Sequence, residues 1–209
     1  MIKPVIAILA NGDFPTHPTS LEILRSADMI VCCDGAAERL LLANMEPYAI
    51  VGDLDSLSRE IRERYSARVI HIPEQETNDL TKAFEYSLKL NPSKIEILGA
   101  TGKREDHTLG NISLLSLFGE ISQVPLRMVT DFGTLYPIFS TSMFKSRAGA
   151  KVSVFSLDCN IEMESEGLQY PLKGVKFDSW WRATLNIATG ENFLVKFNSG
   201  RVIVFIAHQ

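Results

Sequence analysis

The sequence lacks any apolar run near the ~18 residues that a membrane-spanning helix needs. Its longest, such as Val202–Ala207, are far shorter, which speaks against a membrane-embedded protein. It also lacks a block of like charge. The formal net charge of -4 with dispersed Lys and Arg argues against a nucleic-acid surface, so an anionic substrate would need locally placed cations or a metal. Cysteine is scarce: Cys32, Cys33 and Cys159 form no disulfide framework, and no Cys/His spacing suggests zinc. All three are expected to be reduced, buried thiols. Low-complexity segments and internal repeats are missing too. Met1-Ile2-Lys3-Pro4 leads into a strand-like segment without a signal-peptide layout, so a cytoplasmic protein is expected.

What is present is a soluble globular pattern, 45% hydrophobic and 22% charged, in a chain of 209 residues that can bury a substantial core. Short apolar runs at Val5–Leu9, Met29–Cys33, Tyr48–Val51, Val69–Ile72, Ile95–Leu98 and Leu126–Val129 read as buried strands. Helical stretches are expected at Glu38–Leu42, Ser58–Ser66, Asp79–Leu90 and Glu105–Phe118. The clearest places Leu80, Ala83, Phe84 and Leu88 on one face. Such alternation implies an α/β domain, residues 1–131, with a mostly parallel sheet covered on both faces. From about residue 132 the pattern turns to strands: Lys151–Leu157, Ile161–Glu164, Leu168–Tyr170 and Gly174–Phe177. Phe193–Phe197 and Val202–Ile206, flanking Asn198-Ser199-Gly200, read as a hairpin. Residues 132–209 are therefore expected to form an all-β sandwich.

Ligands of parallel α/β sheets bind at the carboxyl ends of strands. Several polar clusters follow predicted strands. Asn11-Gly12-Asp13 reads as a turn or as a close backbone approach to a ligand. In Asp34-Gly35-Ala36-Ala37, Asp34 either caps a helix or sits where its N–H groups receive phosphate. Gly52-Asp53-Leu54-Asp55-Ser56 sets two carboxylates two residues apart. On an extended backbone these share a face, and a hard cation such as Mg²⁺ would relieve their repulsion. A solvated turn is the alternative. Gln75-Glu76-Thr77-Asn78-Asp79 opens the best amphipathic helix and could serve as caps alone. Gly99-Ala100-Thr101-Gly102-Lys103-Arg104 is too compact for a P-loop, yet its glycines and cations suit phosphate oxygens. His107 and Asn111 share a helix face, and a hydrogen-bonded structural histidine is the plainer reading.

In order and spacing these clusters resemble the thiamin pyrophosphokinase family. The matching pieces are Asp34-Gly-Ala-Ala, Gly52–Ser56, Gln75-x-x-x-Asp79-Leu-Thr-Lys82, Gly99-x-x-Gly-Lys-Arg104-x-Asp106-His107-x-x-x-Asn111 and Gly167–Leu172. The resemblance implies an ATP- and Mg²⁺-binding α/β catalytic domain and a β-sandwich that binds thiamine. It further implies a homodimer with its active sites at the subunit interface. The implied reaction moves the terminal pyrophosphoryl unit of ATP to the thiamine hydroxyl, giving AMP and thiamine diphosphate. Asp53, Asp55 and Asp79 then correspond to metal carboxylates, with Asp106 lining the catalytic site. Asp34, Gln75, Lys82, Arg104 and His107 fall at the nucleotide and its phosphates, and Tyr170, Thr184 and Asn186 at thiamine. The chain departs from the family pattern at Asn78, at Leu185 and at Trp180-Trp181. Two rivals use the same residues: a Mg²⁺-dependent phosphohydrolase or nucleotidyltransferase, and a non-catalytic thiamine or nucleotide sensor.

Overall fold

The computed structural model describes residues 2–208. The chain divides into two compact units, one ending at Asp131 and one beginning at Phe132. The first unit holds β1 (Val5–Leu9), β2 (Met29–Cys33), β3 (Ala49–Gly52), β4 (Val69–His71), β5 (Lys94–Leu98) and β6 (Leu126–Val129). All pair in parallel, in the order β6-β5-β1-β2-β3-β4. Its helices are α1 (Pro18–Ser26), α2 (Ala36–Leu42), α3 (Arg59–Arg64), α4 (Asp79–Lys89) and α5 (Glu105–Ile121).

Parallel strands need helical crossovers, and these cover both faces. Ala7 and Leu9 of β1, Cys32 and Ile50 pack with Leu24 of α1, Leu40 of α2 and Tyr65 in one core. Ile6 and Ile8, one residue out of phase, point to the opposite face and are also fully buried. There α4 packs across β1, β2 and β3. Phe84 of α4 stacks on Phe118 of α5, centroids 4.1 Å apart. Burying such a ring stabilises the unit by roughly 2–3 kcal/mol. Helix α1 escaped the sequence reading because its apolar spacing is thin. Pro18 at its first turn and His17, whose Nδ1 accepts from Thr19 N–H at 3.2 Å, start it instead. From β1 the chain winds outward through β2, β3 and β4, then returns to β5 on the other flank of β1. The carboxyl ends of β1 and β5 thus frame a topological switch point.

The second unit contains β7 (Gly133–Ile138), β8 (Ser142–Lys145), β9 (Lys151–Ser156), β10 (Glu164–Glu166), β11 (Ala183–Ile187), β12 (Asn192–Lys196) and β13 (Val202–Ala207). Its two antiparallel sheets run β11-β9-β13-β7 and β10-β12-β8. Val152, Val154, Val202 and Val204 of one meet Phe144, Phe193 and Val195 of the other in a shared core, which makes a sandwich. The expected terminal hairpin is not there. β12 pairs with β8 and β10, whereas β13 pairs with β7 and β9, so the connection arches between sheets. Val202, Ile203 and Val204 are all buried, as suits a central strand, and the arch is pinned by Arg201 N–H donating to Asp158 Oδ2 at 2.7 Å. The segments expected as strands at 161–164, 168–170 and 174–177 reduce to β10 and a single bridge between Leu168 and Ala188. Gly174 turns the chain at φ +79°. Cys32 and Cys33 are buried, but Cys159 is exposed, contrary to expectation, because it lies on the loop after β9. No helix among the described residues is long and apolar enough to cross a membrane.

Candidate active site

Three carboxylates converge at the ends of β2 and β3 and the start of α4. One oxygen from each of Asp34, Asp53 and Asp79 lies within 4.8 Å of the other two. Asp34 follows β2 at φ +33°, and its Oδ2 accepts the Ser56 N–H at 2.8 Å. It does not cap α2, whose N-cap is Gly35 without a side-chain bond. Its Oδ1 is buried and has no hydrogen-bond partner among the described residues. Asp53 Oδ2 accepts from Gln75 Nε2 at 2.9 Å, and Oδ1 from Asp55 N–H at 3.2 Å. Gly52 permits the convergence, because a β-carbon there would lie 3.0 Å from Asp34 Cβ.

The Asp53–Asp55 geometry differs from the extended pair expected. Leu54 is buried and turns the backbone at φ +71°, so the two carboxylates do not share a strand face. Asp55 is exposed and lies outside the convergent trio.

Burial and the gathering of like charges shift how these groups titrate. Burial, then the neighbouring carboxylates, push Asp34 above the ordinary carboxylate pKa. Asp79 rises through burial and Asp53, partly offset by Lys82. Asp53 moves the other way, held low chiefly by the Gln75 donor and then by the Asp55 N–H. Lys82 is 2% exposed, its Nζ 3.7 Å from Asp79 Oδ1 and 4.0 Å from Glu74 Oε1. A buried ammonium is tolerated only with such counter-charges. It therefore lies between two carboxylates.

The switch point is closed by two interlaced loops. Gly12 N–H donates to Gly99 O at 2.6 Å and Asp13 N–H to Thr101 O at 2.8 Å. Lys103 Nζ donates to Asn11 O and Oδ1 at 2.8 and 3.0 Å, at a left-handed φ of +56°. A cleft of about 300 Å³, at the small end for ligand pockets, is bordered by Asn11, Ser56, Asp79, Lys103, Arg104 and His107. Arg104 is exposed and forks onto Asp106, with both nitrogens of the fork bonded. His107 is exposed at the cleft, unlike a packed structural histidine. Asn78 does act as a cap, its Oδ1 accepting the Thr81 N–H at 3.0 Å, and its amide also reaches Asn111 Oδ1 at 3.3 Å. Asn11 and Ser56 border the cleft, and the sequence assigns neither a site role. The Asn-Gly after β1 reads equally as a turn, and Ser56 closes the Gly52–Ser56 cluster.

In the second unit Asn186 is 3% exposed and bonded around its amide. Oδ1 accepts Tyr170 N–H at 3.1 Å and Ile187 N–H at 2.9 Å, while Nδ2 donates to Tyr170 O at 2.7 Å. It fixes the segment that presents the exposed Tyr170 ring. Thr184 Oγ1 donates to Trp181 O at 2.8 Å. Between them Leu185 is exposed at φ +59°, where the β11–β9 register slips. That conformation is rare for a leucine and concentrates at functional sites. Trp181 is exposed under the Arg182 guanidinium, and Trp180 meets Phe155 edge-on.

A parallel α/β unit with carboxylates at the ends of β2 and β3 and cations beside its switch point, joined to an antiparallel sandwich, defines a two-unit class suited to handling phosphate groups. The chain matches the models of the thiamin pyrophosphokinase catalytic domain over residues 21–128 and of the thiamin pyrophosphokinase substrate-binding domain over residues 133–205. It belongs to the thiamin pyrophosphokinase family. It is 31% identical to the thiamine pyrophosphokinase of Bacillus subtilis over 175 residues, 80% of this chain and 81% of that one. With thiamin pyrophosphokinase 1 of Caenorhabditis elegans it shares 30% identity over 131 residues, 58% of this chain and 53% of the relative. The fold is similar to a crystal structure of Bacillus subtilis thiamine pyrophosphokinase, with TM-score 0.82, 23% identity and 98% and 99% of the two chains covered. It also resembles thiamin pyrophosphokinase from Candida albicans, with TM-score 0.77, 19% identity and coverage of 97% and 89%.

Proposed function

We propose that this chain is a thiamine diphosphokinase: it transfers the terminal diphosphate of ATP to the thiamine hydroxyl and releases AMP. The observation that carries this reading, beside family membership, is the convergent trio Asp34, Asp53 and Asp79 with a buried oxygen left unpartnered. Buried acceptors without donors are rare, and hard carboxylate oxygens fit Mg²⁺. Asp34, Asp53 and Asp79 would hold that ion, with Asp55 as a further carboxylate on the same loop. When bound, it supplies positive charge against phosphate oxygens and orients them.

The chain's own groups do the rest. Gln75 fixes Asp53, and Lys82 fixes Asp79. Arg104 borders the cleft with its fork on the exposed Asp106 and would exchange that carboxylate for phosphate oxygens when ATP binds, and His107 borders the same cleft. Lys103 and the interlaced glycine loops shape the floor beneath the nucleotide. The thiamine oxygen forms a bond to the β-phosphorus as the bond from the α-phosphate oxygen breaks, and AMP leaves with that oxygen. The hydroxyl proton passes to a carboxylate of the site. Tyr170 offers a ring face for the thiamine pyrimidine, held by Asn186, with Thr184 on the same strand.

The proposal includes a homodimer with active sites at the subunit interface. In its support, α5 leaves Leu109, Leu117 and Ile121 exposed along one side. Free thiols, the exposed Cys159 among them, suit a reducing cytoplasm. Family membership does not favour a phosphohydrolase, a nucleotidyltransferase or a sensor. Product analysis with ATP, Mg²⁺ and thiamine tests the reading: AMP and thiamine diphosphate should appear in equal amounts. ADP, or pyrophosphate without thiamine diphosphate, would refute it, as would thiamine binding without ATP consumption.

A further inference from the structure

Glu74 is neither in the cleft nor in the carboxylate trio, yet its carboxylate is the most heavily engaged side chain of the loop after β4. Oε2 accepts the Glu76 N–H at 2.8 Å and the Thr77 N–H at 3.0 Å, and Oε1 accepts the Thr77 hydroxyl. The same Oε1 stands 4.0 Å from Lys82 Nζ, whose other carboxylate neighbour is Asp79 at 3.7 Å. The buried ammonium therefore lies between one carboxylate of the trio and one outside it. Without Glu74, Lys82 would have only the trio as nearby counter-charge, Asp79 the nearest, and would hold those carboxylates against any cation. With Glu74, the ammonium is balanced from the far side and Asp79 keeps its negative charge for the trio. The loop that Glu74 ties also carries Gln75, the donor to Asp53.

We propose that Glu74 is a positioning residue that sets the divalent-cation affinity of the Asp34–Asp53–Asp79 site. It does so by neutralising Lys82 and by fixing the loop that delivers Gln75. The inference rests on the reading of that trio as a cation site. It separates charge from shape: Glu74→Gln keeps an oxygen able to accept from Thr77 but leaves Lys82 to the carboxylates of the trio. Glu76→Gln removes an equal charge from the same loop at a side chain that no ion pair ties to Lys82.

The test is Mn²⁺ binding to the full chain without nucleotide, read by the loss of the free-ion electron paramagnetic resonance signal. Circular dichroism of each variant checks folding. Glu74→Gln should weaken Mn²⁺ binding roughly tenfold, and Glu76→Gln by about twofold or less. In a Lys82→Met background the further loss from Glu74→Gln should shrink to the size of the Glu76 effect. A folded Glu74→Gln protein that binds Mn²⁺ as tightly as the Glu76→Gln control would overturn the proposal while leaving the trio intact. Failure of the unaltered protein to bind Mn²⁺ would instead remove the cation-site reading beneath it.

Discussion

A β-carbon on Gly52 would stand 2.9 Å from Asp79 Oδ1, so the end of β3 and the first residue of α4 touch through a position that only glycine fills. The backbone of Gly52 is ordinary strand, and its conformational freedom is not what is used. Space is used: without a side chain at 52, Asp79 swings against Asp34 and Asp53.

Gly52→Ala should therefore fold but lose the carboxylate convergence. Divalent-cation affinity, measured by calorimetric titration, is expected to fall by about tenfold or more, the scale at which a misplaced ligand costs over 1 kcal/mol. Thermal unfolding without metal should change little. Unchanged cation affinity would mean that the contact is not part of the site.

The raised pKa values of Asp34 and Asp79 give a signed pH dependence. A carboxyl whose folded pKa is raised contributes stability fully below its unfolded pKa and loses it as pH rises through the folded value. Asp53, held low, contributes stability above its unfolded pKa and loses it as pH falls through the folded value. Mg²⁺ offsets the repulsion among ionised groups, so its stabilising effect should grow as pH climbs from the ordinary carboxylate range through the raised values. Thermal shifts across a pH series, with and without Mg²⁺, check this. Asp34→Asn should raise the metal-free melting temperature by ~2–4 °C while reducing turnover by about a hundredfold or more.

Much of this was legible in the sequence for identifiable reasons. Strands buried on both faces leave unbroken apolar runs such as Val5–Leu9, and α4 announces itself by Leu80, Ala83 and Phe84 at helical spacing. The acidic clusters were visible because each follows a strand. The membership of the trio was not: a left-handed turn at Leu54 takes Asp55 out of it, and positive φ at a leucine has no sequence signature. Likewise Asn198-Ser199-Gly200 suits a hairpin and an arch equally, and the choice falls to which strands Val202–Ala207 pairs with. Nor does sequence spacing announce that the Asn186 amide binds the backbone of Tyr170 and Ile187.

That role of Asn186 separates two substitutions. Asn186→Ala removes a buried amide that ties the part-buried backbone of Tyr170 and Ile187, and should destabilise the second unit by roughly 1–2 kcal/mol, seen in chemical denaturation. Tyr170→Ala removes an exposed ring and should leave stability nearly unchanged while raising the KM for thiamine about tenfold, the worth of one aromatic contact. An effect of Tyr170→Ala confined to the KM for ATP would contradict its assignment.

Arg104→Ala should raise the KM for ATP by about tenfold, and Arg104→Lys should recover only part of it, because an ammonium cannot reproduce the fork. Steady-state kinetics at saturating thiamine distinguish this from a structural role, which is not expected for a side chain as exposed as Arg104. Full recovery by lysine would reduce the arginine to a point charge.

The central claim, that this site moves a diphosphate as one unit, is tested most directly by following label. With ATP labelled at the γ-phosphorus, the label should appear in the terminal phosphate of thiamine diphosphate, and with α-label it should remain wholly in AMP. Label from the γ-position found in inorganic phosphate or pyrophosphate, with none in thiamine diphosphate, would contradict it.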